Sequence, residues 1–221
     1  MMTTPVITID GPSASGKGSV AARVAKQLGF HYLDSGALYR VLALYAQRQN
    51  LSWSDEARLA LAAVRLPVRF TEDQIWLNDE NVSDAIRSEE VGMGASQVAA
   101  LPAVRSALLQ RQRDFRQLPG LVTDGRDMGS VVFPDAILKV FLTASSQERA
   151  NRRYKQLIEK GESANLQKIQ DDIAKRDAQD AARAVAPLRQ ESDARLLDTS
   201  TLTINEAVKQ VTDWLSEVSV S

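Results

Sequence analysis

The chain has 221 residues, enough for one well-buried core or a core with a small inserted subdomain. Its formal net charge is −1, with 44% hydrophobic and 25% charged residues, an ordinary globular balance with no basic field toward nucleic acid or an anionic membrane. With no cysteine and a single histidine, His31, disulfides, thiol nucleophiles, cysteine zinc sites and multi-histidine metal sites are excluded, leaving Arg, Lys, Asp and Ser for any chemistry.

The first residues, MMTTPVITID, carry no basic region and no long apolar run, so they do not read as a signal peptide. No apolar stretch approaches the ~20 residues that span a bilayer, and the lack of cysteine suits a reducing cytoplasm. Val6-Ile7-Thr8-Ile9 is a short apolar strand ending at Asp10-Gly11. A helix is expected from Lys17 to Leu28, stopped by Gly29. Residues 30–33 read as a second strand, with Ser35 as N-cap of a helix carrying Leu38, Val41, Leu42 and Tyr45. Residues 54–64 form another helix, capped by Ser54.

The pattern then changes. Between Leu66 and Asp84, β-like runs at 68–70 and 74–77 are split by polar turns at Glu72-Asp73 and Asn78-Asp79, as in a small antiparallel insert. Helical periodicity returns over 88–117, with Pro102 near a helix start. Leu121-Val122-Thr123 is a buried strand ending at Asp124-Gly125, and Ile137–Leu142 is another. Ser145 and Glu148 form a capping box for a helix running to Lys160 and stopped by Gly161. A helix over 166–183, a short strand at Leu196-Leu197, and a last helix capped by Thr203 and Glu206 complete the chain. Unbroken apolar strands alternating with helices predict an α/β fold, a parallel sheet covered on both faces, with ligands at the carboxyl ends of the strands.

The strongest motif is Gly11-Pro12-Ser13-Ala14-Ser15-Gly16-Lys17-Gly18-Ser19. It follows a strand and opens a helix, the context of a P-loop that cradles phosphates. Glycines let backbone N–H groups turn inward, the helix N-terminus adds donors, and Lys17 supplies a charge to the β/γ-phosphates. Gly18 stands where Ser or Thr usually follows the lysine, so no protein side chain is expected to grip a metal. Mg²⁺ is expected to arrive with ATP and keep its waters.

Arginine is the favoured cation, 19 against 8 lysines. A compositional habit or a demand for bidentate phosphate binding would each produce this bias, and position decides between them. Arg149, Arg152 and Arg153 share one helix face, as do Arg176, Asp180 and Arg183. Asp124-Gly125-Arg126-Asp127 ends a strand at the ligand side, where Ser35 and Arg40 also lie. A solvated, salt-bridged face is the plain alternative for each cluster; their convergence on the ligand end favours phosphoryl transfer, which needs positioning and charge stabilisation.

Together these residues resemble the bacterial cytidylate kinases over essentially the whole chain. The markers are GPSASGKGS, LDSGALYR (33–40), SQVAALPAVR (96–105), TDGRDMGSVVFPDA (123–136) and KRDAQDAARAVAPL (175–188). The resemblance implies a three-layer P-loop NTPase domain over 1–221 with a central five-stranded parallel sheet. It also implies a monophosphate-binding insert near 62–100 and a short lid near 145–165. It implies transfer of the ATP γ-phosphate to CMP or dCMP by a monomer with no nucleic-acid or membrane partner. By match to the family pattern, Ser96, Arg105 and Asp127 face the cytosine, while Arg40 and Arg126 hold the acceptor phosphate. Arg183 lies near the reacting phosphates; Ser35, Arg176 and Asp180 face the sugar. Arg149, Arg152 and Arg153 lie in or beside the lid, on the ATP side. One departure is Gln179 and Ala181, where the family often has further arginines. His31 is read as a neighbour of the second strand and not as a catalyst, and Trp53, Trp76 and Trp214 as packing residues. The alternatives are a P-loop kinase for UMP or shikimate, and a nucleotide-dependent switch. A GTPase switch would carry Asn-Lys-x-Asp near the end of the sheet, and no such string occurs.

Overall fold

The computed structural model describes residues 4–71 and 74–219, so the expected turn at Glu72-Asp73 lies outside the described residues. In chain order the elements are β1 (Val6–Asp10), α1 (Lys17–Leu28), β2 (His31–Asp34), α2 (Ser35–Arg48), α3 (Glu56–Val64), β3 (Val68–Phe70), β4 (Ile75–Leu77) and β5 (Glu80–Asn81). There follow α4 (Glu89–Val98), α5 (Pro102–Arg113), β6 (Leu121–Gly125), β7 (Leu138–Thr143), α6 (Ser146–Glu159), α7 (Leu166–Ala181), β8 (Arg195–Asp198) and α8 (Ile204–Ser219). The chain divides into two compact units, one built from the chain up to Leu33 and from Phe115 onward, the other from Asp34–Asp114.

The first unit holds the central parallel sheet of five strands, ordered β2-β6-β1-β7-β8. β1 is buried along its whole length, as an apolar strand between two parallel neighbours must be. Ile7, Ile9, Val122, Val140 and Leu142 meet Val20 and Val24 of α1 and Val208 and Val211 of α8 in one core. The register sets Ile9 beside Asp124 and Asp10 beside Gly125, and Gly11 N–H donates to Gly125 O at 3.3 Å. The phosphate loop and the DGRD segment therefore leave the sheet side by side. α6 and α7 pack on each other through Ala150, Leu157, Ile169 and Ile173.

The second unit pairs α2 with α4 and α3 with α5, beside the three-stranded antiparallel sheet β3-β4-β5. Trp53 packs in it: its Nε1 donates to Ala43 O at 3.0 Å, and a Cβ at Gly94 would come within 2.5 Å of the indole.

Three local expectations are corrected and one holds. Asp34, not Ser35, caps α2, its Oδ1 accepting from Ala37 N–H at 3.0 Å; Ser35 is already helical. Asp55, not Ser54, caps α3, accepting from Arg58 N–H, while Ser54 pairs with the Ser52 hydroxyl. Within 88–117 a second helix starts at Pro102 as expected, because Leu101 before it is held in extended backbone. The helix expected to reach 183 stops at Ala181, so Arg183 lies beyond it. There the chain folds back, Leu188 N–H donating to Asp180 O at 3.0 Å, with Ala186 at positive φ ahead of Pro187.

Candidate active site

The phosphate loop is held in a conformation few sequences adopt. Ala14 and Gly16 have φ of 56° and 91°, so the loop turns through left-handed backbone just before α1. Gly11 is required by contact: a Cβ there would lie 2.0 Å from Leu142 O on β7. Lys17 is buried and its Nζ donates to Pro12 O at 3.1 Å, so the ammonium folds back over the loop.

Three arginines reach this loop. Arg126, next after β6, donates through Nη2 to Ser13 Oγ at 3.0 Å and through Nε to Asp180 Oδ2 at 2.6 Å. Arg149 donates to Ser13 O at 3.0 Å and pairs with Asp177. Arg152 donates to Ser15 O at 3.1 Å, to Thr199 Oγ1 at 3.0 Å and to Glu148 at 2.9 Å. Arg149 and Arg152, expected in or beside a lid, thus sit on the first turns of α6 with their guanidiniums on loop carbonyls. Arg153 is half-buried on the same helix.

Asp180 gathers the remaining charge. Its carboxylate is 2% exposed and pairs with Arg126 and with Arg183. Burial works to raise the Asp180 pKa, but Arg126, Arg183 and Arg176 outweigh it and hold the acid below its ordinary value. Burial likewise works against the Arg126 charge, and Asp180, Asp177 and Asp124 reverse it, leaving the guanidinium more firmly protonated than usual.

Asp127 is buried at the start of a π-helical turn, Met128–Val132. The turn is anchored by Asp10, whose carboxylate accepts from Met128 N–H at 2.9 Å and Gly129 N–H at 2.8 Å. Burial pushes the Asp10 pKa up to about 6; the two N–H bonds oppose this, Asp127 adds to it and Lys17 opposes it.

The other candidates belong to the second unit. Arg40 Nη1 donates to Ile86 O at 2.8 Å and lies 3.2 Å from where a Gly92 Cβ would sit. Ser96 Oγ, one turn along α4, donates to Gly92 O at 3.3 Å. Gly92 thus leaves room for the Arg40 fork beside Ser96. Arg105 donates to Ala99 O at 3.2 Å with its guanidinium 5.9 Å from the Tyr39 ring, and Ser35 is buried.

The sequence profile of the Cytidylate kinase family matches residues 7–217. A cytidylate kinase of Chromobacterium violaceum is 67% identical over 220 residues, covering 100% of this chain and 99% of that one. The chain belongs to the cytidylate kinase family. A cytidylate kinase of Neisseria meningitidis serogroup C is 60% identical over 213 residues, 96% of this chain and 98% of the relative. Among solved structures, a gluconokinase of Sinorhizobium meliloti superposes with a TM-score of 0.50 at 15% identity, over 99% of this chain and 95% of that one, a likeness of fold alone.

Against this cytidylate kinase frame, the residues beside Gly18 fit a metal that travels with the nucleotide. A Cβ at Gly18 would lie 3.6 Å from Asp124 Oδ2 and 3.4 Å from the Tyr32 hydroxyl, which donates to Asp124 Oδ1 at 2.7 Å. One ordered carboxylate beside the loop suits a hydrated Mg²⁺, which keeps most of its waters. The sequence reading passed over Asp10, Asp177 and Thr199. Asp10 had a usable signal, a carboxylate ending a buried strand directly before the loop. Asp177 and Thr199 had none, since their loop partners are 164 and 184 residues away in the chain.

Proposed function

We propose that the chain transfers the terminal phosphoryl group of ATP to CMP or dCMP, giving ADP and CDP or dCDP. The observation that carries this is the phosphate loop with the Arg126 and Arg149 guanidiniums both bonded at Ser13, in a chain of the cytidylate kinase family. The phosphate loop, residues 11–19, holds the ATP phosphates through Lys17 and the backbone N–H groups that lead into α1, joined by Arg149, Arg152 and Arg153. Arg126 and Arg40 hold the acceptor phosphate, and Arg183 neutralises charge on the group in flight. Asp180 keeps Arg126 and Arg183 charged and oriented; with Ser35 and Arg176 it serves the sugar. The transferring phosphoryl needs in-line positioning and charge stabilisation more than covalent help, which a set of fixed arginines supplies.

Base choice falls to Asp127, Ser96 and Arg105. An ionised carboxylate only accepts, so Asp127 pairs with the cytosine 4-amino group and repels the uracil 4-carbonyl. Arg105 donates to the O2 and N3 acceptors of the base. Mg²⁺ arriving with ATP would be held by Asp124 through water and would supply neutralisation of the phosphate charge. Residues 62–100 and 145–165 act as monophosphate-binding insert and lid, closing to exclude water. The enzyme works as a cytoplasmic monomer without nucleic-acid or membrane partners; no helix among the described residues is long and apolar enough to cross a membrane. A coupled ATP-consumption assay with CMP, dCMP, UMP and AMP tests the assignment. CMP and dCMP are expected to turn over fastest, and equal turnover of UMP or AMP refutes cytosine selection.

A further inference from the structure

The β1 strand ends in a buried carboxylate, Asp10, directly before the phosphate loop. Ile7 and Ile9 face the core with α1 and α8, so strand alternation sends Asp10 to the opposite face of the sheet. There it meets the π-helical turn Met128–Val132. The first N–H groups of a helical turn have no partner inside it, and a buried N–H left unpaired is costly. Asp10 takes two at once, Oδ1 accepting from Met128 N–H at 2.9 Å and Oδ2 from Gly129 N–H at 2.8 Å. The Asp10 backbone is itself fixed in the sheet, between Gly125 of β6 and Phe141 of β7.

Asp127 is the residue this turn holds. Its carbonyl accepts from Val131 N–H at 2.9 Å and from Val132 N–H at 3.3 Å, so Asp127 forms the N-terminal end of the turn. Gly129 presses the turn onto the sheet: a Cβ there would lie 2.8 Å from Thr8 Oγ1 and 3.2 Å from Lys139 Cδ. Asp127 therefore has β6 on one side and the Asp10 anchor on the other. Lys17 also acts on Asp10, less strongly than Asp127 does, and its Nζ donates to Pro12 O.

We propose that Asp10 is a positioning residue for base selection: by holding Met128 and Gly129 it sets where the Asp127 carboxylate stands. The proposal rests on the reading of Asp127 as the residue that selects cytosine. A misplacement of about 1 Å can cost on the order of a hundredfold in rate, so the turn need not unfold for selection to suffer. Removing the Asp10 side chain frees two N–H groups of the turn, while the sheet keeps the Asp10 backbone, and with it the start of the loop, in place. Base choice then suffers and ATP binding does not. A carboxylate that only stabilised the fold would lower turnover of CMP and UMP alike, and one that acted on Lys17 would weaken ATP binding.

The test is steady-state kinetics with CMP and UMP at saturating ATP, well above pH 6 where Asp10 is ionised. The proteins are wild type, Asp10→Ala, Asp10→Asn, Gly129→Ala and Asp127→Asn, with the KM for ATP measured at saturating CMP. Asp10→Ala should lower the CMP-over-UMP ratio of kcat/KM by about three- to tenfold and leave the KM for ATP within about twofold. Asp10→Asn keeps one acceptor and turns an amide NH₂ on the other N–H, so the ratio should fall in the same direction. Gly129→Ala moves the turn without touching the carboxylate and should do the same. If the alanine variant at Asp10 fails to fold, these two decide. In a double variant with Asp127→Asn, the Asp10 substitution should leave the ratio where Asp127→Asn alone puts it, because Asp10 acts through Asp127. A ratio within about twofold of wild type in the folded Asp10 and Gly129 variants, a further fall in the double variant, or a raised KM for ATP in place of the ratio change overturns the role of Asp10 alone. An unchanged ratio in Asp127→Asn overturns the cytosine-reading assignment along with it.

Discussion

Asp180→Ala is the substitution whose cost follows most directly from the structure. Asp180 is 2% exposed and faces two guanidiniums, Arg126 and Arg183, whose side chains are 17% and 5% exposed. Removing the carboxylate leaves two buried positive charges beside each other. Arg126 keeps its bonds to Ser13 Oγ and Gly125 O and the charges of Asp177 and Asp124, which soften the loss without replacing the paired carboxylate. Breaking a buried pair from one side costs about 3–5 kcal/mol. At about 2–4 °C per kcal/mol for a chain of this size, the thermal midpoint should fall by roughly 6–20 °C. The sign with pH is fixed as well. The folded pKa is depressed, so the Asp180 contribution is present above the ordinary 3.8 and is lost as pH falls through the lower folded value. The gap between wild type and variant should therefore be full at pH 7 and close only below pH 3.8. Thermal unfolding followed by circular dichroism, repeated with Asp180→Asn to hold the volume, measures it. A midpoint within about 2 °C of wild type in both variants would refute the argument, because it would mean the two arginines need no buried counter-charge.

Lys17→Ala should leave the melting curve near wild type and abolish most turnover in the coupled assay, since it removes the fixed charge on the β/γ-phosphates. Asp127→Asn should lower the kcat/KM ratio of CMP over UMP by roughly ten- to a hundredfold at saturating ATP, because an amide donates to the uracil carbonyl; equal losses for both substrates would make Asp127 a brace. Asp10→Asn should flatten the pH dependence of stability. With its folded pKa raised to about 6 from 3.8, the stabilisation from protonating Asp10 is full below 3.8 and lost as pH rises through 6. Denaturant titrations across that window should show a smaller slope change in the variant, and identical pH profiles would contradict the assignment.

Local chemistry written in consecutive residues was legible without coordinates. The strand–loop–helix of the phosphate site, the α/β alternation, the N-cap at Ser145, the capping box at Thr203 and the helix start at Pro102 depend on neighbours within four or five positions, although the other half of the box expected at Ser145 is missing, its N–H going to Ser200 Oγ and Glu148 to Arg152. Backbone sterics and side-chain reach settle such features. Helix ends were less legible where two capping residues stand adjacent, as at Asp34-Ser35 and Ser54-Asp55. There the sequence offers two acceptors, and only the backbone angle decides which reaches the third N–H.

What the chain order could not state is which distant groups share a bond. The Arg149 and Arg152 face is legible from helical spacing, but spacing does not reveal that it brings guanidiniums onto Ser13 and Ser15 carbonyls 136 and 137 residues away. Nor does it reveal that the Asp180 carboxylate pairs with Arg126, 54 residues upstream. The sequence alone determined the phosphate-binding loop, the family pattern and the types of residue available for phosphoryl transfer, since these follow from local propensity and side-chain chemistry. The tertiary structure decided which carboxylate partners each arginine and which loop atoms they hold. Burial and long-range sheet register set those pairings: Asp10 beside Gly125 across β1 and β6 brings the DGRD turn to the loop, and sequence separation carries no information about either.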